Sequence, residues 1–327
     1  MMTSDWQIAL SQAITDPKQL LIALKLSPEE LLVSDQACLD FPLRVPQGFL
    51  ARMRLGDPYD PLLRQVLPIS QELLPVAGFE TDPLKEQHVN PIPGLLHKYH
   101  GRVLLTMTGA CAIHCRYCFR RHFPYADNNP GTQGWQQAIQ YIAEDTSITE
   151  VLLSGGDPLL IKDESLSLFI KQLAEIKHVE RLRIHSRLSI VLPERITENL
   201  IACLTQTRLQ IIMVAHCNHP NEIDTSVKIA MKRFQAANIA LFNQSVLLKD
   251  INNDASVLIE LSKALFAMGV VPYYLHLLDR VQGAAHFEVP EKQARVLYAD
   301  LVKNLPGYLV PKLVREEPGA AAKSSLA

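Results

Sequence analysis

The sequence predicts an α/β protein, a partial (β/α)6 barrel of the TIM type with a helical N-terminal extension. From about residue 100 onward, short apolar or β-branched runs alternate with amphipathic stretches of helical length. Such alternation predicts a parallel sheet with helices outside it. In addition, polar or glycine-rich segments follow the apolar runs, and barrel enzymes carry their chemistry at these strand ends.

Residues 1–95 form the predicted extension, which we expect to be helical and irregular. Ser27-Pro28-Glu29-Glu30 has the pattern of a helix start, with serine as the cap and proline at the first helical position. Prolines then recur between residues 57 and 93 too often for long elements. We expect the extension to pack on a main domain at residues 96–305, which a C-terminal segment at 306–327 follows.

Six apolar runs are the predicted strands. They are residues 103–105, 151–153, 182–184, 211–214, 239–242 and 270–275. Between them, residues 135–142, 166–173 and 227–234 place apolar side chains at the i, i+3, i+4, i+7 spacing of a one-sided helix. Parallel strands need crossover connections of this length, so the pattern agrees with the predicted fold.

Candidate functional residues follow each run, which would bring them together at one mouth of the barrel. They are Cys111 after the first run, Ser154-Gly155-Gly156-Asp157 after the second, His185-Ser186-Arg187 after the third, residues 216–219 after the fourth, residues 243–245 after the fifth, and His276 and Asp279 after the sixth. The carboxyl ends of parallel strands lie on one side of a barrel, so we expect a single site.

Three cysteines, Cys111, Cys115 and Cys118, lie within eight residues after the first predicted strand. Cysteine sulfur holds iron–sulfur clusters, and a cluster with three protein ligands leaves one iron open to a substrate. Two other interpretations stay open at this point. The cysteines could be buried thiols that pack as small hydrophobes, or three ligands of a structural zinc completed from elsewhere.

Composition limits the classes of partner and compartment. The net charge of −2 gives no electrostatic reason to expect nucleic acid or an anionic membrane. No apolar run approaches the roughly 18 residues of a membrane span, and the N-terminus shows no secretory signal. Six cysteines in 327 residues are too few for a disulfide scaffold, so we expect a reduced, cytoplasmic compartment.

The cysteine spacing resembles that of the radical S-adenosylmethionine (SAM) superfamily. More closely, the motifs around it are similar to those of the lysine 2,3-aminomutases, over about residues 93–323. They are Cys118-Phe-Arg120-Arg121, Ser154-Gly-Gly-Asp157-Pro-Leu, Ile184-His-Ser-Arg187, His219-Pro-Asn-Glu222 and Asn243-Gln-Ser-Val-Leu-Leu. Within that group, Leu95-Leu-His-Lys-Tyr-His looks most like the bacterial branch that supplies (R)-β-lysine for modification of elongation factor P.

The resemblance implies a [4Fe-4S] cluster on the three cysteines and a set of residues that face SAM. They are Ser154, Gly155, Gly156, Asp157, His216 and Gln244. Independently of the family, two glycines let the backbone approach a ligand, and Asp157 can accept from an ammonium. The same segment is also typical of a strand-to-helix turn in which Asp157 starts a helix at Pro158.

The resemblance also implies residues for the substrate amino acid. Arg120 would bind its carboxylate, while Asp279 and Glu316 would bind the far ammonium of lysine. Arg120 alone could equally be a surface arginine in a basic run. The free-standing lysine mutases have aspartate where this chain has Glu316. The side chain that would reach the far ammonium is therefore longer in this chain.

A third implied cofactor is pyridoxal phosphate (PLP), held as a Schiff base by Lys323. Without the resemblance, a lysine after Gly319-Ala-Ala-Ala would be an ordinary solvated tail. The family has four glycines there. The three alanines of this chain are also small, but alanine does not adopt a positive φ as readily as glycine does. We expect an apolar cavity to favour the neutral amine. Lys98, Tyr99 and Arg187 are the predicted ligands of the PLP phosphate, with lysine at position 98 where the family usually has arginine.

The function implied is an isomerase that converts L-α-lysine to (R)-β-lysine, with a reductase or flavodoxin-type electron donor and a link to a lysyl ligase that acts on elongation factor P. Two alternatives remain. One is an enzyme of the same fold that acts on another amino acid or on peptide-bound lysine. The other is a metal-binding barrel without catalysis.

Overall fold

One sheet organises the structure, and its strands follow each other in chain order. The computed structural model describes residues 5–28, 31–128 and 131–326. The strands are β1 (Leu95–Tyr99), β2 (Arg102–Thr108), β3 (Glu150–Gly155), β4 (Arg181–Ser186), β5 (Gln210–His216), β6 (Ala240–Val246), β7 (Val271–His276), β8 (Lys312–Arg315) and β9 (Ser324–Ser325). The helices are α1 (Asp5–Ser11), α2 (Pro17–Leu24), α3 (Asp35–Asp40), α4 (Gln47–Leu50), α5 (Pro61–Arg64), α6 (Gly131–Glu144), α7 (Asp163–Glu175), α8 (Leu188–Val191), α9 (Glu198–Thr205), α10 (Thr225–Ala236), α11 (Ala255–Ala267) and α12 (Glu291–Asn304).

The pairing of the strands confirms the predicted α/β barrel and shows that it is partial. Strands β2 to β8 pair in parallel with their neighbours. Strands β1 and β9 pair antiparallel and form the two edges, which do not hydrogen-bond to each other within the described residues. All six predicted runs are strands. The crossover helices cover the sheet because they bury one apolar face, as α10 does with Val227, Ala230, Met231 and Phe234.

Three strands were not predicted from the sequence, namely β1, β8 and β9. Strand β1 adds to the first predicted strand as an antiparallel edge, while β8 and β9 extend the sheet beyond β7. Strand β8 has four residues and β9 has two. Strands this short do not show a recognisable alternation of apolar and polar residues. These additions matter because β1 carries Lys98 and Tyr99, and Lys323 directly precedes β9.

The N-terminal segment packs directly onto the barrel. Apolar residues of the extension, among them Leu20, Phe49 and Leu63, belong to the same hydrophobic core as Leu153 and Ile184 of the sheet. The helix start predicted at Ser27 runs into residues 29–30, which lie outside the described residues. In the described part of the chain, no helix is both long and apolar enough to cross a membrane.

Candidate active site

A cavity of about 910 Å³ is lined by residues from both ends of the parallel strands, from Arg102 and Glu150 at the starts of β2 and β3 to Cys111 and Arg187 beyond β2 and β4. Every residue that the sequence assigned to the cluster, a cofactor or the substrate lines its wall. They are Lys98, Tyr99, Cys111, Cys115, Cys118, Arg120, Ser154, Gly155, Gly156, Asp157, Arg187, His216, Gln244, Asp279, Glu316 and Lys323. Other candidates that follow the predicted strands do not line it, namely Ser186, Cys217, His219, Asn243 and Ser245. The assigned residues therefore share one cavity, but Lys98 and Tyr99 lie on β1 beside the start of β2 rather than at the carboxyl ends of the strands.

The three cysteines lie in the loop after β2, and none of them forms a disulfide. Burial, together with the neighbouring thiols, raises the pKa of Cys111, and burial raises the pKa of Cys118 to about 11. Among the residues described, no three His, Cys, Asp or Glu side chains converge on a point that would hold a single metal ion. Ligands of a cluster bind separate irons and need not converge in this way.

Buried ion pairs fix the cysteine loop on the N-terminal segment. Arg116, between the second and third cysteines, is fully buried and pairs with Glu72 at 2.6 Å. Arg121 pairs with the same carboxylate at 2.8 Å. Arg116 also donates to the carbonyl oxygen of Ala37 in α3 at 2.9 Å. No signal in the sequence marks Glu72, because its partners lie 44 and 49 residues away in the chain.

The glycines after β3 allow the cysteine loop to approach closely. A side chain at Gly156 would place its Cβ 2.3 Å from the carbonyl oxygen of Ala110, and Gly155 has a φ of +104°. The Gly156 N–H donates to the carbonyl oxygen of Thr108 at 2.8 Å, and the Asp157 N–H donates to that of Ala110 at the same distance. The two loops are therefore joined by backbone hydrogen bonds at the wall of the cavity.

Asp157 does not have the free carboxylate that was predicted to accept from an ammonium. Its two oxygens accept from the Ser186 hydroxyl at 2.8 and 3.0 Å and from the N–H groups of Leu159, Arg187 and Leu188. The side chain is 6% exposed. This is the helix-start role that the sequence left open, and the contact of Asp157 with SAM stays a prediction.

Arg187 contacts the cysteine loop rather than the other predicted ligands of the PLP phosphate. Its guanidinium donates to Cys115 Sγ, to Gln65 and to the Tyr117 hydroxyl, and it pairs with Glu222 at 3.0 Å. The other predicted phosphate ligands, Lys98 and Tyr99, instead contact Glu316. These contacts hold Arg187 beside the cysteines, its Nε has no hydrogen-bond partner within the described residues, and its assignment to the PLP phosphate stays a prediction.

Arg120 is buried beside the cysteine loop, where a glutamate that the sequence does not single out binds one edge of its guanidinium. Its Nε and Nη2 donate to Glu86 at 2.7 and 2.8 Å, and its Nη1 donates to Ser154 at 3.2 Å. Burial by itself would raise the pKa of Glu86, but the charges of Arg120 and Lys98 hold it below its ordinary value. The Nη1–Nη2 end of the Arg120 fork is thereby left for a second carboxylate.

The end of the cavity at Lys323 carries a chain of alternating charges. Glu316 pairs with Lys323, and it also accepts from Lys98 at 3.1 Å and from the Tyr99 hydroxyl at 3.3 Å. Burial alone would raise the pKa of Glu316, but the ammonium groups of Lys323 and Lys98 hold it well below its ordinary value. Lys323 thus has an anionic partner rather than the apolar surroundings expected from the sequence.

Asp279 lines the same part of the cavity without a hydrogen-bond partner for its carboxylate within the described residues. Burial and the negative charge of Glu316 raise the pKa of Asp279 to about 7, against the opposing charges of Lys323 and Lys98. A carboxylate in this position is stabilised by any cation that enters the cavity.

His216 and Gln244 lie together on adjacent strands. Gln244 Nε2 is 2.9 Å from His216 Nε2, and burial lowers the pKa of His216 to about 3, so the ring is neutral. A neutral ring can take part in hydrogen bonding without adding charge next to a cationic ligand. The two residues therefore remain available for a polar group of a bound cofactor.

Comparison with known proteins shows close relatives along the whole length of the chain. It is 50% identical to the L-lysine 2,3-aminomutase of Escherichia coli (strain K12), over 98% of this chain and 94% of the relative. The L-lysine 2,3-aminomutase of Haemophilus influenzae is also 50% identical, and that of Clostridium subterminale is 36% identical over 98% of this chain and 77% of the relative. The chain belongs to the lysine 2,3-aminomutase family.

Membership of the lysine 2,3-aminomutase family makes this chain an aminomutase, an isomerase that uses a [4Fe-4S] cluster and SAM. A model of a 4Fe-4S single cluster domain matches residues 100–186, which include the three cysteines. The structure fits that cluster, because the three thiols line one cavity on a loop held by buried ion pairs. A cluster needs deprotonated ligands, so its binding would release the protons that burial favours on Cys111 and Cys118.

Two solved structures are similar to part of this chain. A radical SAM methyltransferase from Sphaerobacter thermophilus superposes with a TM-score of 0.47 at 13% identity, covering 68% of both chains. The protein anSMEcpe with bound AdoMet and a peptide gives a TM-score of 0.46 at 13% identity, over 62% of this chain and 57% of that one. At these scores the family assignment rests on the sequence relatives alone.

Arg102 is a further cation at the Lys323 end of the aminomutase cavity, and the sequence reasoning missed it. Its guanidinium lies 4.7 Å from the centre of the Tyr99 ring, and it forms no ion pair within the described residues. Arg102 lies at the start of β2, next to β1. Its place in the site could have been predicted only if β1 had been recognised as an edge strand. Unlike Lys98, Arg102 therefore has its charge available for an anion.

Proposed function

We propose that this protein converts L-α-lysine to (R)-β-lysine, with PLP bound covalently to Lys323. The observation that carries the proposal is the distribution of charge along one cavity. Arg120 lies beside the cysteines at one end, and the acidic pair Asp279 and Glu316 lies with Lys323 at the other. An amino acid with a cationic side chain has its charges in the same order.

Glu316 already binds alkylammonium groups in the structure. Both of its partner cations are lysine side chains, Lys323 and Lys98. A carboxylate that pairs with two alkylammonium groups can bind the far ammonium of a lysine substrate in the same way. Asp279, which has no cation partner of its own among the described residues, adds a second negative charge there.

The residues at this end also fit a PLP phosphate. Arg102 offers a guanidinium without an ion pair in the described chain, and Lys98 offers an ammonium nearby. A guanidinium fork matches the geometry of a phosphate better than a point charge does. When bound, the cluster with SAM supplies a radical for hydrogen abstraction, and PLP supplies the π-system on which the nitrogen migrates.

The contribution of the protein is to hold the substrate in one orientation and to exclude water. Glu86 and Ser154 fix three of the five N–H positions of Arg120, so that the substrate carboxylate meets a rigid fork. The wall of the cavity is formed by side chains of the strands and of the loops that follow them. Precise placement of this kind accounts for much of the rate that such sites achieve.

The direct experiment is to incubate lysine with SAM, dithionite and the anaerobically reconstituted protein. We expect mass spectrometry with chiral separation to detect (R)-β-lysine. The same protein should convert lysine in preference to ornithine, glutamate or a peptide that contains lysine. A reconstituted protein that carries the cluster but isomerises one of the competitors better than lysine would contradict the proposed substrate.

We further propose the cellular setting implied by the resemblance. The product would serve a lysyl ligase that acts on elongation factor P, and a reductase or flavodoxin-type donor would reduce the cluster in the cytoplasm. We also retain the segments 1–95, 96–305 and 306–327 as proposed units of the chain. Purification of elongation factor P from strains that contain or lack this protein, followed by mass spectrometry of its modification, tests the first link.

The raised pKa of Asp279 predicts how lysine binding depends on pH. Below pH 7 the carboxyl takes up a proton and loses its attraction for the substrate ammonium, so affinity should fall about tenfold per pH unit. Above pH 7 the affinity should level off, because Asp279 is ionised. Calorimetric titration with lysine, without reductant, measures this. Norleucine lacks the side-chain ammonium and is the control, since its affinity should not change over the same range.

Glu86 provides another test of the carboxylate site. The substitution Glu86→Gln removes the charge that orients Arg120 and leaves a side chain of the same size. We expect kcat/KM for lysine to fall by about a hundredfold, because a misplaced fork misaligns the substrate. Glu80→Gln, which changes an exposed glutamate on the same segment, is the matched control. Unchanged kinetics in Glu86→Gln would show that Arg120 needs no such support.

A further inference from the structure

Arg187 is the cation in contact with a predicted ligand of the cluster. It is the first residue after β4 and is 6% exposed. Its Nη1 lies 2.7 Å from Cys115 Sγ. Since Arg187 is not placed with the groups that would bind a phosphate, its position beside this sulfur requires another explanation.

A buried network prevents the guanidinium from turning away. Nη2 donates to Gln65 at 2.7 Å and to Glu222 at 3.0 Å, while Nη1 also donates to the Tyr117 hydroxyl. Asn218 closes the network, with its amide donating to both Gln65 and Tyr117. The Glu222 side chain is 0% exposed, so its charge is held inside the protein together with that of Arg187.

A positive N–H donor on a cluster ligand affects the energy of the added electron. Reduction places more negative charge on the sulfur atoms, and a hydrogen bond from a cation stabilises that state more than the oxidised one. Hydrogen bonds to the sulfurs and the local net charge are two of the factors that set the potential of iron–sulfur clusters. The carboxylate of Glu222 acts in the opposite direction because it offsets part of the positive charge.

We propose that Arg187 is a positioning residue that raises the reduction potential of the cluster through its hydrogen bond to Cys115, and that Glu222 limits this increase. The inference rests on the cluster of the proposed function. It assigns to Arg187 a role in electron uptake rather than in binding PLP, SAM or lysine.

The test is a potentiometric titration of the reconstituted protein without SAM, followed by the electron paramagnetic resonance signal of the reduced cluster. Arg187→Gln should make reduction at least tenfold less favourable, a shift of about 59 mV for one electron. Arg187→Lys should give a smaller shift in the same direction, since it keeps the charge but loses the fork. Glu222→Gln should shift the potential upward. Arg183→Gln is the matched control and should leave the potential unchanged, because Arg183 lies on the same strand and pairs with Glu150 at 3.2 Å.

Iron and sulfide contents, measured on each variant, distinguish the possible outcomes. Full cluster content with an unchanged potential in Arg187→Gln overturns the inference, as does an equal shift in Arg183→Gln. If Arg187→Gln binds no cluster, the opposite shifts expected of Arg187→Lys and Glu222→Gln decide the matter. A wild-type protein that binds no cluster contradicts the proposed function itself.

Discussion

The substitution Lys323→Ala is expected to abolish formation of β-lysine while the cluster stays in place. The amine is the predicted attachment point of PLP, and no other side chain can replace a covalent bond at that position. The fold should tolerate the change, because Glu316 keeps Lys98 as a partner at 3.1 Å. Activity and the iron content of the reconstituted variant are measured together.

Two further variants separate the roles of charge and nucleophile at this position. Lys323→Arg keeps a cation on Glu316 but has no primary amine, so it should be as inactive as Lys323→Ala. Lys312→Ala removes a different lysine from the wall of the same cavity and should keep PLP. Borohydride reduction and peptide mass spectrometry should find PLP on Lys323 of the wild type. Turnover by Lys323→Ala at the wild-type rate would refute the assignment and leave the cluster untouched.

The second large effect is expected for Cys118→Ser. A hydroxyl is a poor ligand for iron, and the remaining two thiols cannot complete the three-ligand set, so iron and sulfide should fall to background. Reductive cleavage of SAM and formation of β-lysine should both disappear. Visible absorbance, iron analysis and detection of the cleaved SAM measure these losses.

Cys203→Ser is the appropriate comparison for the cysteine variant. Cys203 is buried in α9, where its thiol faces Asp163, and it does not line the cavity. This variant should retain the cluster and the activity. A Cys118→Ser protein with the full iron content would mean that the cysteine loop is not the cluster site.

The contrast between Cys111 and Glu72 shows which features of the site can be predicted from the sequence and which cannot. Three cysteines within eight residues are a local pattern, so their chemistry can be deduced from the order of the residues alone. Glu72 contacts the same loop, but it pairs with arginines 44 and 49 residues further along the chain. No local pattern marks a contact made across such a distance.

Asp157 and Arg187 show that a residue can be placed correctly from the sequence while its partners are not predicted. Both were correctly placed at the ends of strands, and both line the predicted cavity. Their partners, however, come from other loops: Asp157 accepts from Ser186, and Arg187 pairs with Glu222. The residue type indicated a charge at the site, whereas the neighbouring loops decided which groups that charge contacts.

By itself, the sequence determined strands β2 to β7, the crossover helices α6, α7 and α10 and the candidate cysteine ligands, because periodicity and close spacing are local properties of the chain. Only the tertiary structure decided that Glu86 holds Arg120, that Glu316 joins Lys98 to Lys323, and that, in the described residues, the barrel stays open between β1 and β9. The physical reason is that a buried charge must find an opposite charge or a hydrogen bond wherever the fold supplies one.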